Sequence, residues 1–186
     1  MTFHFDENKF LLNQKVFTIG SKYDVLDESG HPLCYLKQKI WTLKRHVDVY
    51  ASETSENVLM RIVQDRIFTL FTSFSVIDEA GQLVGRICQK FSLFRRTYGV
   101  KSFAGEEIAT AEQDVVSSVL GATSRGYVRD LANFNIMMKG EQIGVFNRKL
   151  MLFDRYVMDI YDDPVKRLDR RLALALAVIL DLGEDR

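Results

Sequence analysis

Apolar and polar residues alternate with a period of two in three separate stretches of the chain. The apolar positions are Tyr23 and Val25 in the first stretch, Phe74 and Val76 in the second, and Phe134, Ile136 and Met138 in the third. Successive side chains of a strand point to opposite faces, so this pattern predicts half-buried strands. β-Branched and aromatic residues predict further strands at about 47–51, 67–71 and 156–161.

The three stretches open three copies of an internal repeat. Residues 23–45, YDVLDESGHPLCYLKQKIWTLKR, align without gaps on residues 74–96, FSVIDEAGQLVGRICQKFSLFRR, at an offset of 51. A third copy, FNIMMKGEQIGVFNRKLMLFDR at 134–155, has a turn that is one residue shorter. Each copy predicts a β-hairpin, whose return strand lies at about 33–38, 85–90 or 143–147.

The turn residues support these hairpins. Asp27 and Asp78 occupy the first turn position, and Gly30 and Gly81 occupy the fourth. This arrangement is typical of a type I turn followed by a residue with positive φ. Gly140 takes the corresponding place in the third copy.

The repeat count predicts a mainly β fold. Each copy supplies about four strands, so three copies make about twelve, and closing them into one antiparallel barrel removes the exposed edges. Three copies at spacings of 51 and about 59 residues are too few and too uneven for a solenoid or propeller. A barrel of this size has a lumen too wide for strand side chains alone to fill.

The segment LALALAVILDLG at 172–183 is the candidate to fill the lumen. Asp163 suits a helix N-cap, Pro164 the first helical position and Gly183 the position after the end, which predicts a helix at about 164–182. The apolar part is shorter than the roughly 20 residues of a membrane span. We therefore predict a buried core helix, with a membrane-inserting tail or an alternating strand as alternatives. Asp181 opposes the helix dipole and should have a cationic or N–H partner, most naturally an Arg or Lys.

Composition supports one globular domain over residues 1–186. The chain is 47% hydrophobic and 27% charged, and Lys+Arg and Asp+Glu each total 25, so bulk charge gives no reason to expect nucleic acid as a partner. Cys34 and Cys88 form no CxxC motif and are interpreted as reduced thiols, with one disulfide as the alternative. The start of the chain, MTFHFDENKF, does not read as a signal peptide. We expect a cytoplasmic protein, with peripheral membrane attachment as an option.

Together, the aromatic-x-Val-x-Asp-x-x-Gly hairpins, the Gln-Lys that follows them and the LALALAVILD segment resemble the LURP-one-related family. The resemblance runs from about Phe10 to Leu182. The family belongs to the tubby C-terminal-like superfamily, together with the phospholipid scramblases, and implies a twelve-stranded barrel around a C-terminal helix. Tubby proteins bind phosphoinositides on a basic surface, but no such lipid-binding residue aligns with this chain. The proline-rich region and cysteine cluster of scramblases have no counterpart here, so scramblase-like activity is not expected.

No catalytic residue, metal site or cofactor is predicted. The sequence contains no P-loop, GxGxxG or GxSxG motif, and its three histidines, His4, His31 and His46, lack zinc-ligand spacing. The adjacent carboxylate pairs are interpreted as turn chemistry, with calcium or acid–base chemistry as the alternative; they are Asp27/Glu28 and Asp78/Glu79. A nucleophile formed by either cysteine with His46 is left open.

Basic residues recur in fixed slots of the repeat. One slot holds Lys39, Lys90 and Lys149, and another holds Arg45, Arg96 and Arg155. We predict that they form a belt near one end of the barrel, together with Lys37, Lys44, Arg95 and Arg148. Such a belt would attract anionic lipid headgroups with about 1 kcal/mol per charge. The alternative is that these residues face solvent and pair with Asp or Glu.

The sequence thus favours a non-enzymatic binding or scaffold module that contacts anionic, phosphoinositide-like membrane surfaces. A protein–protein interaction or regulatory module is the alternative and would need a large exposed apolar patch. A small-ligand carrier or an enzyme would need a deep pocket with a perturbed titratable group.

Overall fold

Strands that alternate in direction make up most of the chain. The computed structural model describes residues 5–15, 20–39, 44–65, 72–91, 95–114, 133–149 and 155–184. The strands are β1 (Lys9–Gln14), β2 (Lys22–Leu26), β3 (Pro32–Gln38), β4 (His46–Tyr50), β5 (Val58–Gln64), β6 (Ser73–Asp78), β7 (Leu83–Lys90), β8 (Thr97–Ser102), β9 (Glu107–Gln113), β10 (Phe134–Met138), β11 (Glu141–Lys149) and β12 (Arg155–Asp159). One helix follows them, α1 (Arg170–Glu184).

The twelve strands form a closed antiparallel barrel in which every strand pairs with its neighbours in sequence and β1 closes on β12. The predicted mainly β barrel of about twelve strands is confirmed. The first repeat copy supplies β2–β5 and the second supplies β6–β9. The third supplies β10–β12, and β1 completes it from the other side of the closure. The strand predicted at 67–71 lies outside the described residues.

The connections between strands fall at two opposite ends of the barrel. We call the turn end the one that carries the short connections at 27–31, 51–57, 79–82, 103–106 and 139–140. The loop end carries the connections that follow β1, β3, β5, β7, β9 and β11. The segment after β12 leaves at the turn end, so α1 begins there and runs through the lumen to the loop end.

The hairpin turns have the predicted chemistry. The backbone N–H of Gly30 donates to the carbonyl oxygen of Asp27 at 3.1 Å, and the Asp27 carboxylate accepts the N–H of His31 at 2.8 Å. Asp78 repeats both contacts, with the N–H of Gly81 at 3.1 Å and that of Gln82 at 2.8 Å. The φ angles of Gly30 and Gly81 are 86° and 80°. In the third copy Lys139 and Gly140, with φ of 51° and 84°, form the shorter turn.

The helix fills the lumen. No residue from 172 to 182 is more than 3% exposed, and these side chains pack against inward-facing residues of the strands. An apolar surface on all sides of a helix requires an apolar environment on all sides, and the barrel wall provides it. Among the described residues, no helix is long and apolar enough to cross a membrane.

The predicted start and end of the helix are wrong. Helical structure begins at Arg170 and not at Pro164, which lies in a turn before it, and Gly183 lies inside the last turn. Asp163 caps this preceding turn: its carboxylate accepts the backbone N–H groups of Arg167 and Leu168, both at 2.9 Å. The buried Arg170 then donates to the same carboxylate at 3.0 Å, and this contact fixes the entry of the helix into the barrel.

Candidate functional site

The ten predicted belt residues lie on the strand ends and connections of the loop end. They occupy the ends of β3, β7 and β11 and the residues around the starts of β4, β8 and β12, because these three strand pairs are equivalent in the repeat. The side chain of Lys149 is not among those described. The structure thus brings the predicted residues to one end of the barrel, but it gives their side chains different contacts.

Three belt cations form ion pairs on the barrel wall. Lys39 lies 2.9 Å from Asp48, Lys90 lies 2.7 Å from Glu107, and Arg95 lies 2.7 Å from Glu112. In addition, Lys44 donates to the backbone carbonyl of Asp65 at 2.7 Å. These contacts match the alternative interpretation of the belt, in which repeat-equivalent cations pair with carboxylates.

Asp48 is the most enclosed of these carboxylates, with 2% of its surface exposed. His46 Nε2 lies 2.7 Å from its Oδ1, and the Tyr50 hydroxyl donates to its Oδ2 at 3.2 Å. Burial alone would raise the pKa of Asp48, but the hydrogen bonds from Lys39 and His46 outweigh it and lower the pKa below its ordinary value. The outcome is an ionised carboxylate that ties β4 to its surroundings.

Two belt arginines hold the end of the helix. Arg45 Nη1 donates to the carbonyl oxygen of Leu182 at 2.5 Å, and Arg96 Nη1 donates to that of Gly183 at 3.4 Å. Carbonyls at a helix end lack intrahelical partners and carry the negative end of the dipole, so guanidinium groups stabilise them. The repeat predicted that Arg45 and Arg96 are equivalent, but not that their side chains reach the helix.

The backbone of each of these arginines is held by a glutamine side chain. The backbone N–H of Arg45 donates to the side-chain oxygen of Gln64 at 3.1 Å, and that of Arg96 donates to Gln113 at the same distance. In the third copy Gln14 at the end of β1 takes the place of Gln64 and Gln113. Arg155, however, pairs with Asn13, one residue before Gln14, and is exposed. A shift of one residue along a strand turns a side chain to the opposite face, which explains why Arg155 faces out.

Asp181 is buried at the same end, with 1% of its surface exposed. The Tyr23 hydroxyl donates a hydrogen bond to its carboxylate. Burial, together with the charge of Asp181 and this hydrogen bond, raises the pKa of Tyr23 well above its ordinary value. The hydroxyl therefore stays protonated and solvates the carboxylate inside the lumen.

Another group of basic residues follows the rim over neighbouring strands. We call it the cationic arc; its members are Lys22, Lys37, Lys149 and Arg155. Arg148 is not part of it, because it lies opposite the buried Tyr156 across the β11–β12 ladder, with its guanidinium 5.5 Å from the centre of the Tyr156 ring. Lys22 lies directly opposite Lys37 across the β2–β3 ladder, and Lys149 lies opposite Arg155 across the β11–β12 ladder. Among the described residues no carboxylate lies within ion-pair distance of Lys22, Lys37 or Arg155. Like charges directly opposite each other, as at Lys22 and Lys37, destabilise a sheet. On its other side Lys37 lies opposite Asp48 across the β3–β4 ladder.

Sequence reasoning missed two basic residues at this rim. Lys22 begins β2, and Lys15 follows β1 between the two halves of the arc. Lys15 pairs with Glu53 at 2.7 Å and Asp24 at 3.4 Å and lies 5.0 Å from the ring of Tyr35. The signal was available, because Lys15 and Lys22 flank the β1–β2 connection as Lys39 and Lys44 flank the next one at this end.

Cavities in the described part of the chain include one on the outer wall and one at the loop-end mouth of the barrel. An open groove of about 620 Å³ lies on the outer wall between β9 and β10, lined by Ile108, Met137, Lys139 and neighbouring residues. A crevice of about 60 Å³ lies beside Arg45 and Arg96 at the loop end. Among the described residues no three His, Cys, Asp or Glu side chains are arranged to hold a metal ion. Both cysteines are free, and Cys34 is buried.

Comparison with known proteins identifies a family for the chain. A search of curated proteins finds no match to the chain. The family model described as LURP-one-related matches residues 8–181, which contain all twelve strands and most of α1. The chain therefore belongs to the LURP-one-related family.

Proposed function

We propose that the protein is a non-enzymatic binding module whose loop end docks on membranes that carry anionic, phosphoinositide-like lipid headgroups. The cationic arc is the observation that carries this proposal. Within it, Lys22 and Lys37 keep like charges directly opposite each other. An external layer of negative charge would relieve the repulsion, and a lipid surface offers such a layer along the whole arc.

The contacts of the helix support a rigid module of this kind. Arg45 and Arg96 tie the strands of the loop end to α1, so the arc lies on a fixed scaffold. The lumen is occupied by α1, which leaves the rim and the outer wall for ligands. The free cysteines are consistent with a reducing, cytoplasmic location, where the anionic leaflet of a membrane is found.

The test measures binding of the full chain to vesicles. Phosphatidylcholine vesicles with and without phosphatidylserine are sedimented with the protein at low and at physiological ionic strength. We expect binding only with the anionic lipid, and weaker binding as salt screens the charges. A third set of vesicles carries a phosphoinositide at the same total charge, and stronger binding there would identify the headgroup class. No binding to any anionic vesicle at low salt would refute the proposal.

A pair of variants locates the binding surface. K37Q/R155Q removes two charges of the arc, and K139Q/R86Q removes two exposed charges elsewhere on the barrel. At about 1 kcal/mol per charge, the first variant should bind at least about ten-fold more weakly and the second nearly as well as the original chain. Equal losses in both variants would mean that the loop end has no special part in binding.

The groove on the outer wall favours a second candidate function, docking of a protein segment. Ile108 and Met137 give it an apolar floor, while Glu106 and Lys139 place opposite charges at its sides. A variant with Met137→Glu would abolish such docking and leave vesicle binding unchanged, which separates the two functions.

A further inference from the structure

We infer that Phe91 enters the apolar layer of the membrane when the loop end docks, so that binding has an apolar component as well as an electrostatic one. This inference rests on the proposed function. Phe91 directly follows Lys90 at the end of β7. Its side chain is 73% exposed.

The position of Phe91 distinguishes it from the other exposed apolar residues. Among the described residues, the large apolar side chains with high exposure are Phe91, Phe103, Tyr161 and Val165. Phe103 lies in the β8–β9 connection, and Tyr161 and Val165 lie between β12 and α1, so these three are at the turn end. Phe91 is the member of this set that shares the loop end with the basic residues.

The repeat provides a second, independent argument. The residue after the repeat lysine is Ile40 in the first copy, Phe91 in the second and Leu150 in the third. The three diverged copies thus share a large apolar residue directly after a lysine. A lysine followed by an apolar side chain is a suitable pair at a lipid surface, because the ammonium group stays with the headgroups while the apolar group moves below them.

The surroundings of Phe91 fit insertion. Lys90 lies 2.7 Å from Glu107, and Arg95 lies 2.7 Å from Glu112, so the barrel wall beside Phe91 carries balanced charges and not a net negative charge that a bilayer would repel. With Phe91 inserted and the cationic arc against the headgroups, the axis of α1 stands steeply to the membrane. The turn end, with Phe103, then points away from it.

The first experiment reports depth. Trp41 is the only tryptophan, so W41F provides a background without tryptophan for the variants F91W and F103W. Phe91 and Phe103 are both 73% exposed, and each serves as the matched control for the other. With anionic vesicles, F91W emission should shift to shorter wavelength and be quenched by lipids with brominated acyl chains, while F103W emission stays unchanged. Quenching of both, or of neither while the protein is bound, would overturn the inference.

The second experiment reports affinity. F91A should bind anionic vesicles about ten-fold more weakly at physiological salt, F91L should restore most of the binding, and F103A should bind like the original chain. If the original chain binds and F91A binds equally well, insertion of Phe91 is wrong while the proposed function stands. If the original chain does not bind, the proposed function itself fails. Near-ultraviolet circular dichroism verifies that each variant is folded.

Discussion

Asp163 holds together the turn that leads into α1. Its side chain has no exposed surface, accepts two backbone N–H groups and lies 3.0 Å from Nη1 of the equally enclosed Arg170. Arg170 also donates to Asn8 Oδ1 at 2.6 Å, which connects the helix to the segment before β1. The Asp163–Arg170 pair therefore joins the turn, the helix and the segment before β1.

Removal of this charge should be costly. Because D163N leaves Arg170 charged and buried without its counterion, we expect the free energy of unfolding to fall by about 3–5 kcal/mol. The control is K166A, which breaks the exposed pair of Lys166 and Asp6 and should cost less than about 1 kcal/mol. Urea denaturation of both variants measures the difference. Similar losses in the two variants would contradict the role assigned to Asp163.

Two carboxyl groups make stability depend on acid pH. Burial acts to raise the pKa values of Asp163 and Asp48, but their hydrogen bonds outweigh it, so both lie below the ordinary value. In the unfolded chain both carboxyl groups have a pKa of about 3.9. Just below this pH the unfolded state therefore binds more protons than the folded state. The contribution of these two groups to the free energy of unfolding should therefore be constant above about pH 5. It should fall as the pH drops below about 4.

The measurement is the urea midpoint between pH 3 and pH 7. D48N and D163N, each already less stable, should both show a shallower decline at low pH than the original chain. An unchanged decline in both variants would assign the acid sensitivity to other groups.

At the scale of elements, close contacts within the wall depend on glycine. A Cβ atom added at Gly85 of β7 would lie 2.3 Å from the backbone oxygen of Lys101 in β8 and 3.0 Å from the methyl groups of Leu172 in α1. A Cβ atom added at Gly99 would instead approach the ends of two flexible side chains, Glu107 Oε2 at 2.7 Å and Lys90 Cε at 2.8 Å. At Gly85, β7 is in close contact with both β8 and α1, so it cannot move to make room for an added methyl group.

This contrast gives a matched pair of substitutions. G85A should lower the free energy of unfolding by about 1–3 kcal/mol, because the added methyl group displaces backbone and helix. G99A should change it by less than about 1 kcal/mol, since the two side chains can rotate away. Thermal or urea unfolding of the two variants tests the prediction, and a smaller loss for G85A than for G99A would refute it.

The repeat pattern predicted most strands but not all of them. Its hairpins correspond to β2–β3, β6–β7 and β10–β11, whose alternation and turn residues are local signals. β9, with the sequence EIATAEQ, was missed because Ala, Glu and Gln have low strand propensity. Its conformation comes from pairing with β8 and β10 on either side, which is tertiary information.

The candidate site was predictable in place but not in detail. The repeat predicted that Lys39, Lys90 and Lys149 lie at one rim, because equivalent positions of the repeat lie at the same end of the barrel. That Arg45 and Arg96 contact helix carbonyls depends on where α1 ends, and the sequence placed that end only through a capping pattern. The helix start predicted from Asp163 and Pro164 was too early. Asp163 does accept backbone N–H groups, but those of a turn, and the helix begins only at Arg170, which donates to the same carboxylate.

At the scale of the whole molecule, the barrel depends on the segment that fills it. The strands direct their apolar side chains toward α1, and a chain that ends at Arg171 would leave this surface around an empty lumen. We expect such a chain to lose cooperative unfolding and near-ultraviolet circular dichroism. A chain that lacks only residues 185–186 keeps all of α1 and should fold normally. A cooperatively folding chain without α1 would overturn the assignment of the helix as the core.

The position of α1 along the chain also has a consequence for biosynthesis. The ribosome completes all twelve strands before it makes the segment on which their apolar faces pack. The apolar faces of the strands therefore stay uncovered until α1 emerges from the ribosome. Nascent chains should depend on chaperones until α1 emerges and should be prone to aggregate when translation stalls after β12 and before α1.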